Sequence, residues 1–347
     1  MSNLLGSLRN AAGAMRVFER SMAVVQSNVT NASTPGYVRQ RHMVTAMPFD
    51  LPRGLVGGVA SAGMLSSRST FAEQSVWRQS NLVGAANEQA SHLGRLEPVF
   101  TIDPTQGVSG AISRFFQSAS ALAVTPNDGG AREQFLQQAN RVASAFHYTS
   151  SGLNDAMASA ASSIQAQLND IHSIAGRLQQ LNGQFKQDYR AQQDAGLDAQ
   201  VHQLLEQLSE KIDFTMLRAE DGSVTILAGG QTPLVIGERL YPLTAVPGGD
   251  GVQLLDYEGR DITGSIGSGR LASLVELRNR ILPGYEQSLN TLAAAFADQV
   301  NQVLANGVDQ NGIVPVTGLF SYDPIAGAAR TLQAGGVTAA ELALASP

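Results

Sequence analysis

The apolar residues of the first thirty positions fall on one seam. Leu4, Leu8, Ala11, Met15, Phe18, Met22, Val25 and Val29 follow one another in alternating steps of four and three. That is the a/d pattern of a helix that packs against another helix. The outward positions are mostly Ser, Asn, Arg, Gln and Glu. Such a helix, about 39 Å long at 1.5 Å per residue, cannot cover its own stripe. Gly6 and Gly13 inside it each cost roughly 1 kcal/mol of helix stability against alanine. The pattern therefore predicts a helix that stays loose until it meets its partners.

Further helices are expected from Ser69 or Thr70 to about Glu97, over Ser109–Val124, from about Ala131 to Phe185, and over Asp198–Ile212. In the longest, Met157, Ile164, Ile171, Leu178 and Phe185 step by seven, with Ala160, Leu168, Ile174 and Leu181 in companion positions. Short strands are expected at Val38–Ala46 and Leu55–Met64, broken by Met47-Pro48-Phe49 and Leu51-Pro52. Between about Phe214 and Thr263 the period changes to that of strands. Ser223–Leu227, Pro233–Ile236, Leu240–Ala245 and Val252–Tyr257 alternate between Gly-rich turns. Helix returns at Arg270–Ile281, restarts after Pro283-Gly284 and runs to about Leu304, ahead of a turn-rich tail. The fold class is mainly α with a smaller β part (α+β): long coiled-coil-like helices, a small antiparallel β subdomain and an elongated form. The expected divisions are an inner helix and corner (1–37), a mainly helical domain with short strands (38–213), the β subdomain (214–268), returning helices (269–305) and the tail (306–347).

Composition narrows the chemistry. The 347 residues carry a net charge of −6, with 43% apolar and only 6% aromatic residues. That suits long helices with small-residue seams better than a deep pocket. Acidic and basic residues are interspersed, with no basic face for nucleic acid. No apolar run approaches 18 residues, and Met1–Asn3 leads straight into the amphipathic helix without a signal-like segment. The absence of cysteine removes disulfides and thiolate chemistry.

Candidate sites read as structure. His42, His92, His147, His172 and His202 show no zinc-ligand spacing and are expected on surfaces or helix faces. Gly264–Arg270 lies where a phosphate loop would sit but lacks its Gly-Lys-Ser/Thr ending; it reads as a turn with Ser268 capping a helix. Asp309-Gln310-Asn311-Gly312 begins like a calcium loop, but its later positions carry Ile313 and Phe320, and it reads as an Asn-Gly turn. No nucleophile elbow is present, and no metal or cofactor is expected.

The end of the first helix is more informative. Asn28 and Asn31 are suited to left-handed backbone at a helix C-terminus. Pro35-Gly36 fits the centre of a type II turn, and Tyr37 to Arg41 alternates like a strand. Together, Asn28, Asn31, Thr34, Pro35, Gly36, Tyr37 and Arg39 behind a heptad helix resemble the corner motif of the bacterial flagellar axial proteins of rod, hook and hook-associated type. The order Leu204-Leu205, Leu208-Ser209, Asp221-Gly222-Ser223, then Gly269-Arg270-Leu271, Leu274, Leu277-Arg278, Ile281–Gly284 and Gly307, Asp309, Asn311-Gly312 is similar to the hook-associated members of the hook–filament junction. The likeness extends over about residues 1–330.

The resemblance implies a non-enzymatic structural protein. It would be exported through the flagellar type III channel and located on the extracellular flagellum, where it joins hook to filament in motile cells. Its implied partners are further copies in a helical ring or array, the hook protein, a second junction protein on the filament side, and the export apparatus with its chaperone; neither nucleic acid nor membrane is implied. Leu4, Leu8, Ala11, Met15, Phe18, Met22, Val25 and Val29 would carry packing between subunits. Family members also end in a C-terminal heptad helix that packs on the first. Thr338–Ala345 is too short and Ala-rich to serve, so the seam is expected to lack its intrachain partner and the chaperone surface to be missing. The alternatives are a hook or rod protein, which the long 131–185 region disfavours, and a secreted adhesin or cell-wall hydrolase carrying an axial-protein export end.

Overall fold

A computed structural model describes residues 2–50, 55–100, 106–188, 194–249, 251–309, 312–314 and 316–342. In chain order the first helix, α1, spans Ser2–Thr30. Strands β1 (Gln40–Ala46), β2 (Phe49–Asp50), β3 (Leu55–Val56) and β4 (Val59–Ser66) follow. Helices α2 (Thr70–Leu96), α3 (Gly107–Val124), α4 (Gly129–Gln187) and α5 (Ala195–Lys211) come next. Strands β5 (Phe214–Arg218), β6 (Val224–Ala228), β7 (Thr232–Ile236), β8 (Arg239–Leu240), β9 (Thr244–Pro247) and β10 (Val252–Leu255) precede α6 (Gly269–Glu276) and α7 (Leu282–Leu304). Short strands β11 (Phe320–Ser321) and β12 (Gln333–Ala334) lie in the tail. The architecture is mainly α with small antiparallel sheets.

Two compact units divide the chain. One comprises Met1–Ala86, Gln167–Val246 and Gln253–Ala272; the other comprises Asn87–Ala166, Pro247–Val252 and Ser273–Pro347. In the first, β1 and β4 form an antiparallel hairpin, Gln40 opposite Ser66 and Ala46 opposite Val59, with a bulge after Met43. Gly63, opposite Met43, takes a φ of +109°, which glycine adopts without strain. The expected break at Met47-Pro48-Phe49 is shorter than the sequence suggests, because Phe49 and Asp50 pair with Val56 and Leu55. The same unit holds a four-stranded antiparallel sheet in the order β5-β6-β7-β8. Inward Val224, Ile226 and Ala228 of β6 are buried, as are Leu178, Leu181 and Phe185 of α4.

The second unit packs α3, the first part of α4, α7 and the tail around one core. Phe115 is its centre, with ring centroids 4.8 Å from Phe135, 5.4 Å from Phe296 and 5.9 Å from Phe320. Asp128 starts α4 by accepting from the backbone N–H of Gly130 at 2.9 Å.

The restart expected after Pro283-Gly284 is not a break. Leu277–Ile281 forms a π turn, closed by the Leu282 N–H on the Leu277 carbonyl, and Pro283 sits in the first turn of α7. Pro283, which has no N–H to donate, thus falls where the carbonyl ladder changes register from the π turn to α7.

Four asparagines join helix to strand in one way. Asn28, Asn182, Asn279 and Asn301 each accept the backbone N–H and return an N–H to the carbonyl of a single residue: Gln40, Val224, Val252 and Phe320 respectively. All eight distances lie between 2.7 and 2.9 Å. A primary amide reproduces the donor–acceptor pair that a neighbouring strand would offer. Each helix thereby satisfies backbone groups that a short strand leaves open.

Candidate assembly surface and corner

Both heptad stripes form as expected, and their burial is opposite. On α4, Met157, Ala160, Ile164, Leu168, Ile171, Ile174, Leu178, Leu181 and Phe185 are all buried. On α1, Leu4, Leu8, Ala11, Met15, Phe18, Met22, Val25 and Val29 are all exposed. Leu4 is 80% exposed, Phe18 65% and Met22 74%. The helix docks by a different face. Val17 and Val24, seven residues apart, are its buried apolar positions. Ser21 and Asn28 lie on that face too. Ser21 Oγ is 2.8 Å from His42 Nδ1 on β1, and His42 Nε2 is 2.7 Å from Ser61 Oγ on β4, so one imidazole bridges the helix and both strands. Docking on the hairpin thus uses small and polar groups and leaves the large apolar ones uncovered among the described residues.

The corner is built from the motif residues. Tyr37 N–H donates to the Thr34 carbonyl at 3.1 Å, and Gly36 has a φ of +76°. These are the bond and the third-position backbone of a type II turn. Asn28 and Asn31 do not adopt left-handed backbone: no described residue other than glycine has a positive φ. They act through their side chains instead. Asn28 Oδ1 accepts from both the Tyr37 hydroxyl (3.0 Å) and the Gln40 N–H (2.8 Å). Asn31 Nδ2 donates to the Ser27 carbonyl at 3.0 Å, and Thr34 Oγ1 donates to Asn31 Oδ1 at 3.2 Å. Pro35 is exposed, and Arg39 takes part through its carbonyl, which accepts from Ser67 N–H.

An ion cluster that the sequence does not reveal anchors this turn. Arg68 Nη2 donates to the Gly36 carbonyl at 2.6 Å. The same guanidinium pairs with Glu73 and reaches Asp198 Oδ2 at 3.3 Å. Buried His202 lies between the two acids, 3.1 Å from Glu73 and 3.6 Å from Asp198, and Arg218 donates to Asp198 at 2.6 Å. Burial alone would raise the Glu73 carboxyl; hydrogen bonds and charge from His202 and Arg68 hold it below its ordinary value. Trp77 stacks on His202 with centroids 6.2 Å apart. The one legible hint was Asp198 four residues before His202 on α5. His92 on α2 and His202 on α5 lie on helix faces, and both are buried.

Gly36 is fixed from a second side. A Cβ there would lie 2.4 Å from the Ala199 carbonyl oxygen of α5. Gly36→Ala combines that clash with left-handed backbone, which alone costs roughly 1–2 kcal/mol. It is expected to lower stability by at least that amount in chemical denaturation, and an unchanged midpoint would contradict the fixed corner.

The remaining candidates behave as turns. Gly312 N–H closes on the Asp309 carbonyl at 3.1 Å with a Gly312 φ of +78°; Gln310 and Asn311 lie outside the described residues. Ser268 immediately precedes α6, and its hydroxyl donates to the Asn81 amide oxygen. Asp213 accepts from the backbone N–H groups of Gly267 and Ser268, ahead of the helix. No group of acidic or histidine side chains among the described residues forms a metal site. No helix among them is long and apolar enough to cross a membrane.

Fold and surface together define a mainly helical protein whose first helix carries an apolar stripe exposed among the described residues and leads through a hydrogen-bonded turn into a small β part. The chain belongs to the family described as the flagellar hook-associated protein FlgK helical domain, whose model matches residues 93–320. It is 22% identical over 351 residues to flagellar hook-associated protein 1 of Bacillus subtilis (strain 168), covering 90% of this chain and 69% of that protein. It is 25% identical over 335 residues to flagellar hook-associated protein 1 of Salmonella typhimurium (strain LT2), covering 90% of this chain and 58% of that protein. The chain thus spans 58–69% of the length of these two relatives. The solved flagellar hook junction protein FlgK from Burkholderia pseudomallei shares the fold, with a TM-score of 0.63 and 23% identity over 72% of this chain and 46% of that one.

Proposed function

We propose that this chain is a structural subunit of the flagellar hook–filament junction, exported and then assembled through the α1 seam. The observation that carries this reading is the opposite burial of two matched stripes: the one on α4 is covered and the one on α1 is not. Fully burying seven Leu, Met, Phe and Val side chains contributes roughly 10–20 kcal/mol gross. Ordering and association cost on the order of 4–15 kcal/mol. Burial of the seam outweighs that cost over most of these ranges, so closing it against helices of neighbouring subunits couples the ordering of α1 to assembly. Contacts that do not close on themselves generate a helical array rather than a closed oligomer.

The partners under this reading are other copies of the chain, the hook protein on one side, a second hook-associated protein on the filament side, and the export apparatus with its chaperone. The role under this reading is mechanical. Glu73 and Asp198, which an acid–base mechanism would need free, are committed to Arg68 and Arg218 at the corner.

Electron microscopy of a strain deleted for the gene tests the placement. Hooks without filaments, with filament subunits lost to the medium, are expected. Missing hooks would move the protein to the rod or hook class, and unchanged flagella would overturn the reading.

A further inference from the structure

Strand β5 ends its sheet, so one side of its backbone has no strand beside it among the described residues. The ladder shows which residues face that side. The Asp213 carbonyl accepts from Gly229 N–H at 3.0 Å, and Ala219 N–H donates to the Ser223 carbonyl at 2.9 Å. Residues of an antiparallel pair alternate between facing the partner and turning away. Residues 213, 215, 217 and 219 therefore bond toward β6, and Phe214, Met216 and Arg218 turn their N–H and C=O groups to the open side.

A groove of about 430 Å³ lies between β5 and α2. Phe71, 75% exposed, and Trp77 stand on the helical wall, Trp77 with its ring 5.4 Å from Phe214. An open strand edge beside apolar side-chain pockets is the geometry to which extended peptides add as a further strand. Asp213, at the start of β5, supplies a charge preference. Its Oδ1 is buried with no hydrogen-bond partner. Burial raises the acid's pKa against the pull of the Gly267 and Ser268 N–H groups, so a cation at this end of the groove would relieve a desolvated carboxyl.

We propose that this groove takes an extended segment of another polypeptide as an added strand on β5, with apolar side chains against Phe71 and Trp77 and a lysine or arginine beside Asp213. The site is separate from the α1 seam and does not depend on it.

Trp77 is the chain's single tryptophan, so its emission reports occupancy directly. The probe is the peptide acetyl-Thr-Val-Arg-Val-Thr-Val-amide titrated into the full chain. A saturable change in emission is expected, at least ~10-fold weaker in affinity when glutamine replaces the peptide's arginine. Met216→Pro removes an N–H that faces the groove and none that faces β6; it is expected to abolish the response. A peptide N-methylated at alternate positions tests the same point without altering the protein. No saturable change with the wild-type chain, or equal binding of the N-methylated peptide, would overturn the proposal. So would a concentration-dependent emission change without peptide that the peptide fails to compete away, since the occupant would then be a second copy.

Discussion

Replacing Asn182 by aspartate is expected to cost about 3–5 kcal/mol of stability at pH 7. Asn182 is fully buried, and its amide nitrogen donates to two carbonyls, Val224 at 2.7 Å and Gly237 at 2.8 Å. A carboxylate of the same shape keeps the acceptor for the Val224 N–H and turns both donors into acceptors facing carbonyl oxygens. No cation stands among the partners of this side chain to repay the buried charge. The pH dependence follows with a definite sign. Burial raises the introduced acid's folded pKa above its unfolded value near 4. The penalty is therefore smallest below that value, where the acid is neutral in both states and lacks only one of the two donors, and grows as pH rises through the interval between the two. Urea denaturation of both chains between pH 4 and pH 7.5 reads this directly. A gap below ~1 kcal/mol, or one that does not widen with pH, would mean that the amide does not splice α4 to β6 as described.

That splice also shows where reading the sequence stops. The helices α1 to α5 and the stripe on α4 were legible, because apolar residues repeating at helical spacing leave little choice of element. Whether a stripe is covered was not: the seams of α1 and α4 follow the same arithmetic, and only the fold shows that one is buried. Strand β5 fell inside the stretch read as β but was not singled out as a strand, because Phe214-Thr215-Met216-Leu217-Arg218 has apolar residues on both faces, with Leu217 left 55% exposed at the sheet's edge. The strand expected over Leu240–Ala245 divides into β8 and β9 around Pro242, which has no N–H for a ladder. Arg68 with Glu73, Asp198 with His202, and Arg218 come from three separate stretches of the chain, and the meeting of those stretches under Gly36 depends on tertiary packing. At the corner the turn was readable from Pro35 and Gly36, whereas the work of Asn28 and Asn31 was assigned to backbone geometry when their side chains do it.

Phe18→Asp is expected to block incorporation into the flagellum while leaving the isolated chain as stable as before. The two halves of this expectation rest on the same number, the 65% exposure of Phe18. In the free chain the ring touches little, so its loss falls within the roughly ±0.5 kcal/mol usual for surface changes. In the assembled seam the ring would be covered. Its replacement forfeits about 2–3 kcal/mol of burial and places a carboxylate between apolar neighbours, at a further cost of several kcal/mol unless it finds a partner. A combined loss near ~5 kcal/mol lowers the affinity of each contact by more than 1,000-fold. Neighbouring Arg20 and Glu19 point elsewhere on the helix, because residues one or two apart do not share a face, so neither Arg20 is placed to neutralise the new charge nor Glu19 to be displaced by it. The measurement is paired: thermal unfolding of the purified variant, and immunoblotting of isolated hook and filament fractions from cells that export it. Normal incorporation would remove the seam from the assembly mechanism. A lowered unfolding midpoint would show instead that Phe18 already packs within the chain, against the burial on which the reading rests.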